Sequence, residues 1–325
     1  MEYSIKKAAM TGGSGPIGLA LIKLLLSNNI EVLLFQRKHS AKRMYLPESP
    51  LLKVEYFSME ELDKYSPDVT DYDVFFHLGW LSTRKNARDN MEEQVKNVVC
   101  ACEAVKMAKK LGCHTFLGTG SQAEYGRHEE ELREDTLCKP ETAYGVMKLS
   151  ACHATGVLCR QYGMRHLWPR ILSGYGLYDN IASVLISAVL DSMDGKKLVF
   201  SKGEQIWDFV YLDDIAKALL LIAQKGKDGS KYPIASGEAR PLREYLEILC
   251  RKLGKENEVE YGVIPYSENQ IMHLSADISA LQADTGWKPE VDFETGIERV
   301  IEFYKEWKPT YETTYKELRM EVEGY

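Results

Sequence analysis

The sequence predicts a doubly wound parallel α/β sheet. Short, fully apolar runs alternate with helical ones through the first half of the chain. Such runs are how strands look when a parallel sheet is covered on both faces. A glycine-rich turn, TGGSGPIG at Thr11–Gly18, joins the first apolar run to the first helical one. The β–α alternation then implies right-handed crossovers.

The elements follow in order. Ile5–Met10 reads as the first strand, and the helix after the glycine turn runs from about Ile17 to Ser27. Glu31–Gln36, Lys53–Phe57 and Val74–Leu78 are the next three strands. Met91–Leu111 is a long helix, with apolar residues at Val95, Val98, Val99, Cys102, Val105 and Met107. Thr115–Gly118 is a fifth strand, Thr142–Gln161 a second long helix, and Arg165 to Leu167 starts a sixth strand. The second half is less regular. Ile181–Met193, Leu242–Leu253 and Phe293–Trp307 read as helices, Glu258–Val263 as a strand, and Phe209–Val210 as a strand leading into a helix over Asp213–Ala223. The polar, tyrosine-rich tail after Lys308 is expected to pack loosely.

Composition bounds the function. The 325 residues are 45% hydrophobic, enough for a sizeable core and more than one sub-domain. A net charge of −7 with no basic cluster argues against nucleic acid and against an anionic membrane surface. No apolar run approaches the roughly 18 residues of a membrane span, and the N-terminus has no signal-peptide core. Seven cysteines without a C-x-x-C pair suggest reduced thiols and a cytoplasmic protein. No histidine sits at ligand spacing from a cysteine, so no metal site is expected.

The glycine turn contains Gly12-x-x-Gly15-x-x-Gly18, after a strand and before a helix. Glycines let backbone N–H groups approach a pyrophosphate, and the helix N-terminus supplies partial positive charge. Pro16 suits the first helical turn, where a missing N–H costs little. The expected ligand is a nicotinamide dinucleotide. An acid at the end of the second strand would favour NAD. Here that strand ends Phe35-Gln36-Arg37-Lys38, and Arg37 instead suits the 2′-phosphate of NADP.

Tyr144 and Lys148 stand four residues apart on a predicted helix and so share a face. A tyrosine with a pKa of about 10 is a poor base at neutral pH. A neighbouring ammonium favours its phenolate. Tyr144 would exchange the hydroxyl proton as hydride moves, and Ser121 would hold the substrate oxygen. Spacing alone is weak evidence, because Tyr3 and Lys7 show it too. Ser121, in the loop at the C-terminal end of the fifth strand, gives Tyr144 and Lys148 their weight.

These pieces resemble the extended short-chain dehydrogenases/reductases, in particular the NAD(P)-dependent nucleotide-sugar epimerase/dehydratase family. The matching segments are TGGSGPIG, DVFFHLGW, the helix with Asn97, GTGSQAEYG, PETAYGVMK, RILSGYG, WDFVYLDDIAKAL and ADISALQADTGWKP, from Thr11 to Pro289. The resemblance implies a Rossmann domain over 1–170, with 206–236 returning to it. A smaller C-terminal substrate-binding α/β domain would take 171–205 and 237–325. It implies catalysis by Ser121, Tyr144 and Lys148. Gly12, Gly15, Pro16, Ile17, Gly18, Arg37, Leu78 and Gly79 would bind NADP or NAD with Tyr144 and Lys148. Trp80, Gln122 and Trp207 would face a nucleotide-diphosphate sugar. The two long helices would pair in a homodimer.

The family's dehydratases carry two acids after the serine position, where this chain has Gln122-Ala123. Its 3,5-epimerase/4-reductases carry a cysteine at Ala123. What remains is 4-epimerisation of an NDP-hexose or NADPH-dependent reduction of an NDP-4-keto-6-deoxysugar. Trp207 replaces the arginine that usually meets the diphosphate, which keeps a non-nucleotide carbonyl substrate in view. Asp214 is expected to cap a helix, and His77 to be structural.

Overall fold

The computed structural model describes residues 2–38, 41–83 and 85–316. The first half lays down β1 (Lys7–Thr11), α1 (Pro16–Ser27), β2 (Glu31–Phe35), β3 (Leu52–Glu55), β4 (Val74–His77), α2 (Met91–Lys110), β5 (Thr115–Gly118), β6 (Gly120–Ser121), α3 (Ala143–Tyr162), β7 (Arg165–Leu167), β8 (Arg170–Ile171) and β9 (Ser173–Tyr175). A six-stranded sheet of order β3-β2-β1-β4-β5-β7 forms its centre, with every pairing parallel. β4 and β5 have every residue buried, as expected for strands covered on both faces.

The second half adds α4 (Val184–Met193), β10 (Leu198–Phe200), β11 (Ile206–Trp207), β12 (Phe209–Tyr211), α5 (Leu212–Lys225), β13 (Pro233–Ile234), β14 (Arg240–Pro241), α6 (Leu242–Leu253), β15 (Val259–Tyr261), β16 (His273–Leu274), α7 (Ser279–Thr285) and α8 (Phe293–Thr310). α5 packs on α1 over one face of the sheet, and α2 and α3 cover the other. β8 lies between β6 and β13, all parallel, so the loops after β5 and β7 are pinned side by side. A separate apolar core gathers α4, α6, α8, β10 and β12. Among the described residues no helix is long and apolar enough to cross a membrane.

Three expectations need correction. The second half contains five short strands and α7 beyond those foreseen, and β6, β8 and β9 were likewise not foreseen, because two or three residues carry no readable period. Asp214 is not a helix cap: α5 begins at Leu212, with Tyr211 at the N-cap. Its buried carboxylate accepts from the Val291 N–H at 3.0 Å, while its backbone carbonyl accepts from the Trp287 indole N–H at 3.0 Å. The segment after Lys308 is not loose as far as it is described: Tyr311 and Tyr315 pack against Trp307. Residues 317–325 lie outside the described residues.

Candidate active site

The glycine turn closes on itself through a Gly15 N–H to Gly12 C=O bond of 3.1 Å. Gly12 has φ of +77°, and a Cβ there would lie 2.5 Å from the Gly79 nitrogen and 2.6 Å from the Leu78 carbonyl carbon. A Cβ on Gly18 would lie 2.3 Å from the Gly12 oxygen. The turn is therefore drawn tight against both the end of β4 and the start of α1, as only glycine allows. Gly15 caps α1 without a side-chain bond, Pro16 opens the helix, and its first turn holds no acid. Ile17 and Gly18 thus present N–H groups at a positive helix end open to an anion. This cradle fits the pyrophosphate of a dinucleotide. Arg37 lies exposed just past the end of β2 and makes no ion pair among the described residues.

Lys148 is buried on α3. Its ammonium donates to the Thr119 carbonyl at 2.7 Å and sits 3.9 Å from the centroid of the Trp80 ring. Trp80 meets the Tyr144 ring edge-on at 5.9 Å, and its indole N–H donates to Gln94 at 2.8 Å. Tyr144 is half-buried in the first turn of α3, whose N-cap is Thr142, accepting from the Gly145 N–H at 3.1 Å. A Cβ on Gly145 would lie 2.2 Å from the Ala123 carbonyl oxygen. Glycine at that position is what lets α3 press against the loop that carries Ser121.

That loop is fixed from below. The Ser121 hydroxyl accepts from the Ala123 N–H at 3.2 Å, and the Ser121 N–H donates to Glu124 at 2.9 Å, a capping box on one short turn. The fully buried Glu124 carboxylate also accepts from the Trp168 indole at 3.0 Å and pairs with buried Arg170 at 2.8 Å. Sequence reasoning missed Glu124, Trp168 and Gly145, although the Ser-x-x-Glu spacing was a readable signal.

The electrostatics depart from the expectation that Lys148 is the cation acting on Tyr144. Burial raises the Tyr144 phenol above its ordinary value. The Arg88 guanidinium and a hydrogen bond with Ser121 pull it down, and Glu124 adds to the rise. Arg88 lies 4.2 Å from the centroid of the Tyr144 ring, against 5.9 Å for the Lys148 ammonium. Burial brings Lys148 down to about 7, with Glu124 opposing and Arg88 adding to the fall. His77, at the end of β4, bonds the Thr11 hydroxyl at 2.9 Å through Nδ1, and its Nε2 is buried without a partner among the described residues. Burial first, then Lys148, lowers His77 to about 3, so it is a neutral structural residue at working pH.

Beside Tyr144 opens a cavity of about 520 Å³ whose lining includes Arg88, Gln122, Arg127, Glu141 and Asn269. Arg127 and Glu141 pair at 2.7 Å. Trp207 does not line this cavity. It is half-buried, packs on Phe209 at 6.4 Å and touches both apolar cores.

The model of the NAD dependent epimerase/dehydratase family matches residues 8–235. The chain belongs to that family. It is an enzyme of the extended short-chain dehydrogenase/reductase type, and its cofactor is a nicotinamide dinucleotide. The dTDP-glucose 4,6-dehydratase of Haemophilus influenzae is 24% identical, with 91% of this chain and 96% of that protein covered. The UDP-N-acetylglucosamine 4-epimerase of Methanobrevibacter ruminantium, solved with UDP-N-acetylmuramic acid, superposes with a TM-score of 0.84 at 23% identity, covering 94% and 100% of the two chains. The UDP-glucose 4-epimerase of Thermotoga maritima, solved with UDP-glucose, superposes at 0.83 with 21% identity, covering 92% and 99%. Family membership thus spans both dehydratases and epimerases.

Burial of Lys148 has a consequence for stability. The folded chain releases the Lys148 proton near pH 7, the unfolded chain near 10.5. Between those values the unfolded state binds more protons, so the lysine's burial penalty fades as pH rises. Relative to Lys148→Met, the wild type is expected to gain stability steadily from about pH 7 to 10.5. Denaturant titrations of both proteins across that range check it, and a pH-independent difference would contradict it.

Proposed function

We propose that the protein is a nucleotide-sugar 4-epimerase, acting by transient oxidation at C4 of an NDP-hexose. The observation that carries this reading is the state of the serine loop. Its single carboxylate, Glu124, is consumed by Ser121, Trp168 and Arg170, and Gln122 and Ala123 offer no acid. Glu141 at the cavity is exposed and paired with Arg127. Elimination of water needs an acid–base pair aimed at the sugar, so dehydration is disfavoured although dehydratases are among the relatives.

Each residue then has a task. The glycine turn with Ile17, Leu78 and Gly79 holds the dinucleotide, which accepts and returns a hydride when bound. Ser121 orients the substrate oxygen, Tyr144 takes and returns its proton, and Lys148 holds the ribose. Trp80 fixes Lys148 from one side, and Gln122 offers an amide to the sugar hydroxyls. Trp207 carries no charge to pair with a diphosphate, so that group needs its partners elsewhere. A panel of UDP- and dTDP-hexoses is expected to yield C4 epimers without added cofactor, followed by NMR of the products. Tyr144→Phe should retain its fold and lose roughly 10²–10⁴-fold in turnover. Full activity in that variant would remove the reading.

A second reading, an NADPH-dependent reductase of an NDP-4-keto-6-deoxysugar, draws on Arg37. Its guanidinium at the end of β2, without an ion pair among the described residues, suits a 2′-phosphate. Arg37→Asp is expected to weaken NADP at least tenfold while sparing NAD, as isothermal titration would show. Unchanged NADP affinity would discard the preference.

The assembly we propose is a homodimer. Met91, Val95 and Val99 stand at four-residue spacing on the outer face of α2, with Val99 59% exposed, and Val157 is exposed on α3. Val95→Lys combined with Val99→Lys should convert a dimeric mass in light scattering to that of the monomer. A monomeric wild type would refute the interface.

A further inference from the structure

We propose that Arg88 is a positioning residue for proton transfer: it supplies the fixed cation that holds negative charge on the Tyr144 oxygen. The proposal rests on the role given to Tyr144 above, and it assigns a residue outside the serine, tyrosine and lysine set.

Arg88 ends a short 3-10 helix, Lys85–Arg88, in the loop between β4 and α2. Its guanidinium lies over the Tyr144 ring at 4.2 Å and forms no ion pair or hydrogen bond among the described residues. A half-buried arginine without a carboxylate is a group left available for a charge that comes and goes.

The loop that carries it is held in place. Buried Gln94 of α2 donates to the carbonyls of Ser82 at 2.7 Å and Ala87 at 3.0 Å, the latter one residue before Arg88. Buried Asn97 accepts from the Leu81 N–H at 2.6 Å and donates to the Leu81 carbonyl at 3.2 Å. Ser82 between them has φ of +57°, a left-handed conformation that a non-glycine residue adopts only when its surroundings impose it. Two side chains of α2 are thus spent on fixing the approach of Arg88 to Tyr144.

The charges facing the phenol are few. Lys148, on the same helix, sits farther from the ring, bonded to the Thr119 carbonyl and spread over Trp80. Glu124, from the serine loop, opposes ionisation but is neutralised by Arg170. Ser121 favours ionisation too, Arg127 and Glu141 at the cavity rim pair with each other, exposed Asp89 lines the same cavity next to Arg88, and Trp80 is neutral. Arginine keeps its proton at any working pH, whereas a buried lysine gives its proton up readily. Arg88 is therefore the cation whose charge does not vary when the phenol titrates. In reduction the Tyr144 proton goes to the substrate carbonyl oxygen, and in oxidation it returns from the hydroxyl. Arg88 neither gains nor loses a proton in either direction.

The test reads the phenol directly and needs no substrate. Ultraviolet phenolate absorbance is titrated in each protein and in the same protein carrying Tyr144→Phe, and the difference isolates Tyr144. In Arg88→Gln the midpoint is expected to rise by about one pH unit, the lower end of what an adjacent opposite charge achieves, because Arg88 is partly exposed. Arg88→Lys should recover most of the shift. Where turnover is measured, the rising limb of kcat/KM against pH should move by the same amount. Coincident midpoints in wild type and Arg88→Gln would overturn the proposal. So would a rise in KM alone with an unmoved titration, which would make Arg88 a substrate-anion anchor. If no nucleotide sugar is turned over, the titration still decides the role of Arg88, so the two readings fail separately.

Discussion

The Glu124 carboxylate is the interaction on which the rest of the site depends. It is fully buried, and its two oxygens collect the Ser121 N–H, the Trp168 indole and the Arg170 guanidinium. A buried carboxylate is tolerable only when paired and hydrogen-bonded, and here each oxygen has a donor. The pair joins β6 to β8, so the ends of β5 and β7 cannot drift apart. Trp168 packs so tightly under this loop that a Cβ on Gly118 would lie 2.3 Å from its ring. A Cβ on Gly120 would lie 2.6 Å from Glu124. The serine loop is a rigid platform, and α3 is pressed onto it at Gly145.

From that platform the chemistry becomes narrow. The carboxylate that might have served as an acid is spent on structure, so the site is left with a hydroxyl, a phenol and an ammonium. Burial acts in the same sense on the two titratable groups, favouring the neutral form of each. An apolar, tight site thus raises the cost of the phenolate it needs. A cation approaching from the β4–α2 loop answers that cost without adding a group that could drive elimination.

The fold was legible wherever residues act on near neighbours. The glycine turn, the buried runs of β1, β2, β4 and β5, and the two long helices each carry their signal within a dozen residues. Tyr144 and Lys148 were legible for the same reason. The look-alike pair separates in the structure: Tyr3 stacks on His114 at 5.0 Å, while Lys7 pairs with Asp71 at 2.7 Å. Apart from the Ser121–Glu124 capping box, what sequence reading missed acts across long separations. Arg88 reaches Tyr144, and Arg170 reaches Glu124, through folds of the chain that no local period announces. Asp214 looked like a cap because acids favour helix starts, yet its carboxylate is bonded to Val291 far along the chain. The two- and three-residue strands of the second half pair by position rather than by pattern.

The central claim is that a nicotinamide dinucleotide sits on the glycine cradle and is recycled within one catalytic cycle. Native mass spectrometry of freshly purified protein tests it most directly. A retained NAD or NADH at one per chain is the result the epimerase account predicts. A protein that binds no dinucleotide, as isolated or after incubation with NAD or NADP in either redox state, would contradict it.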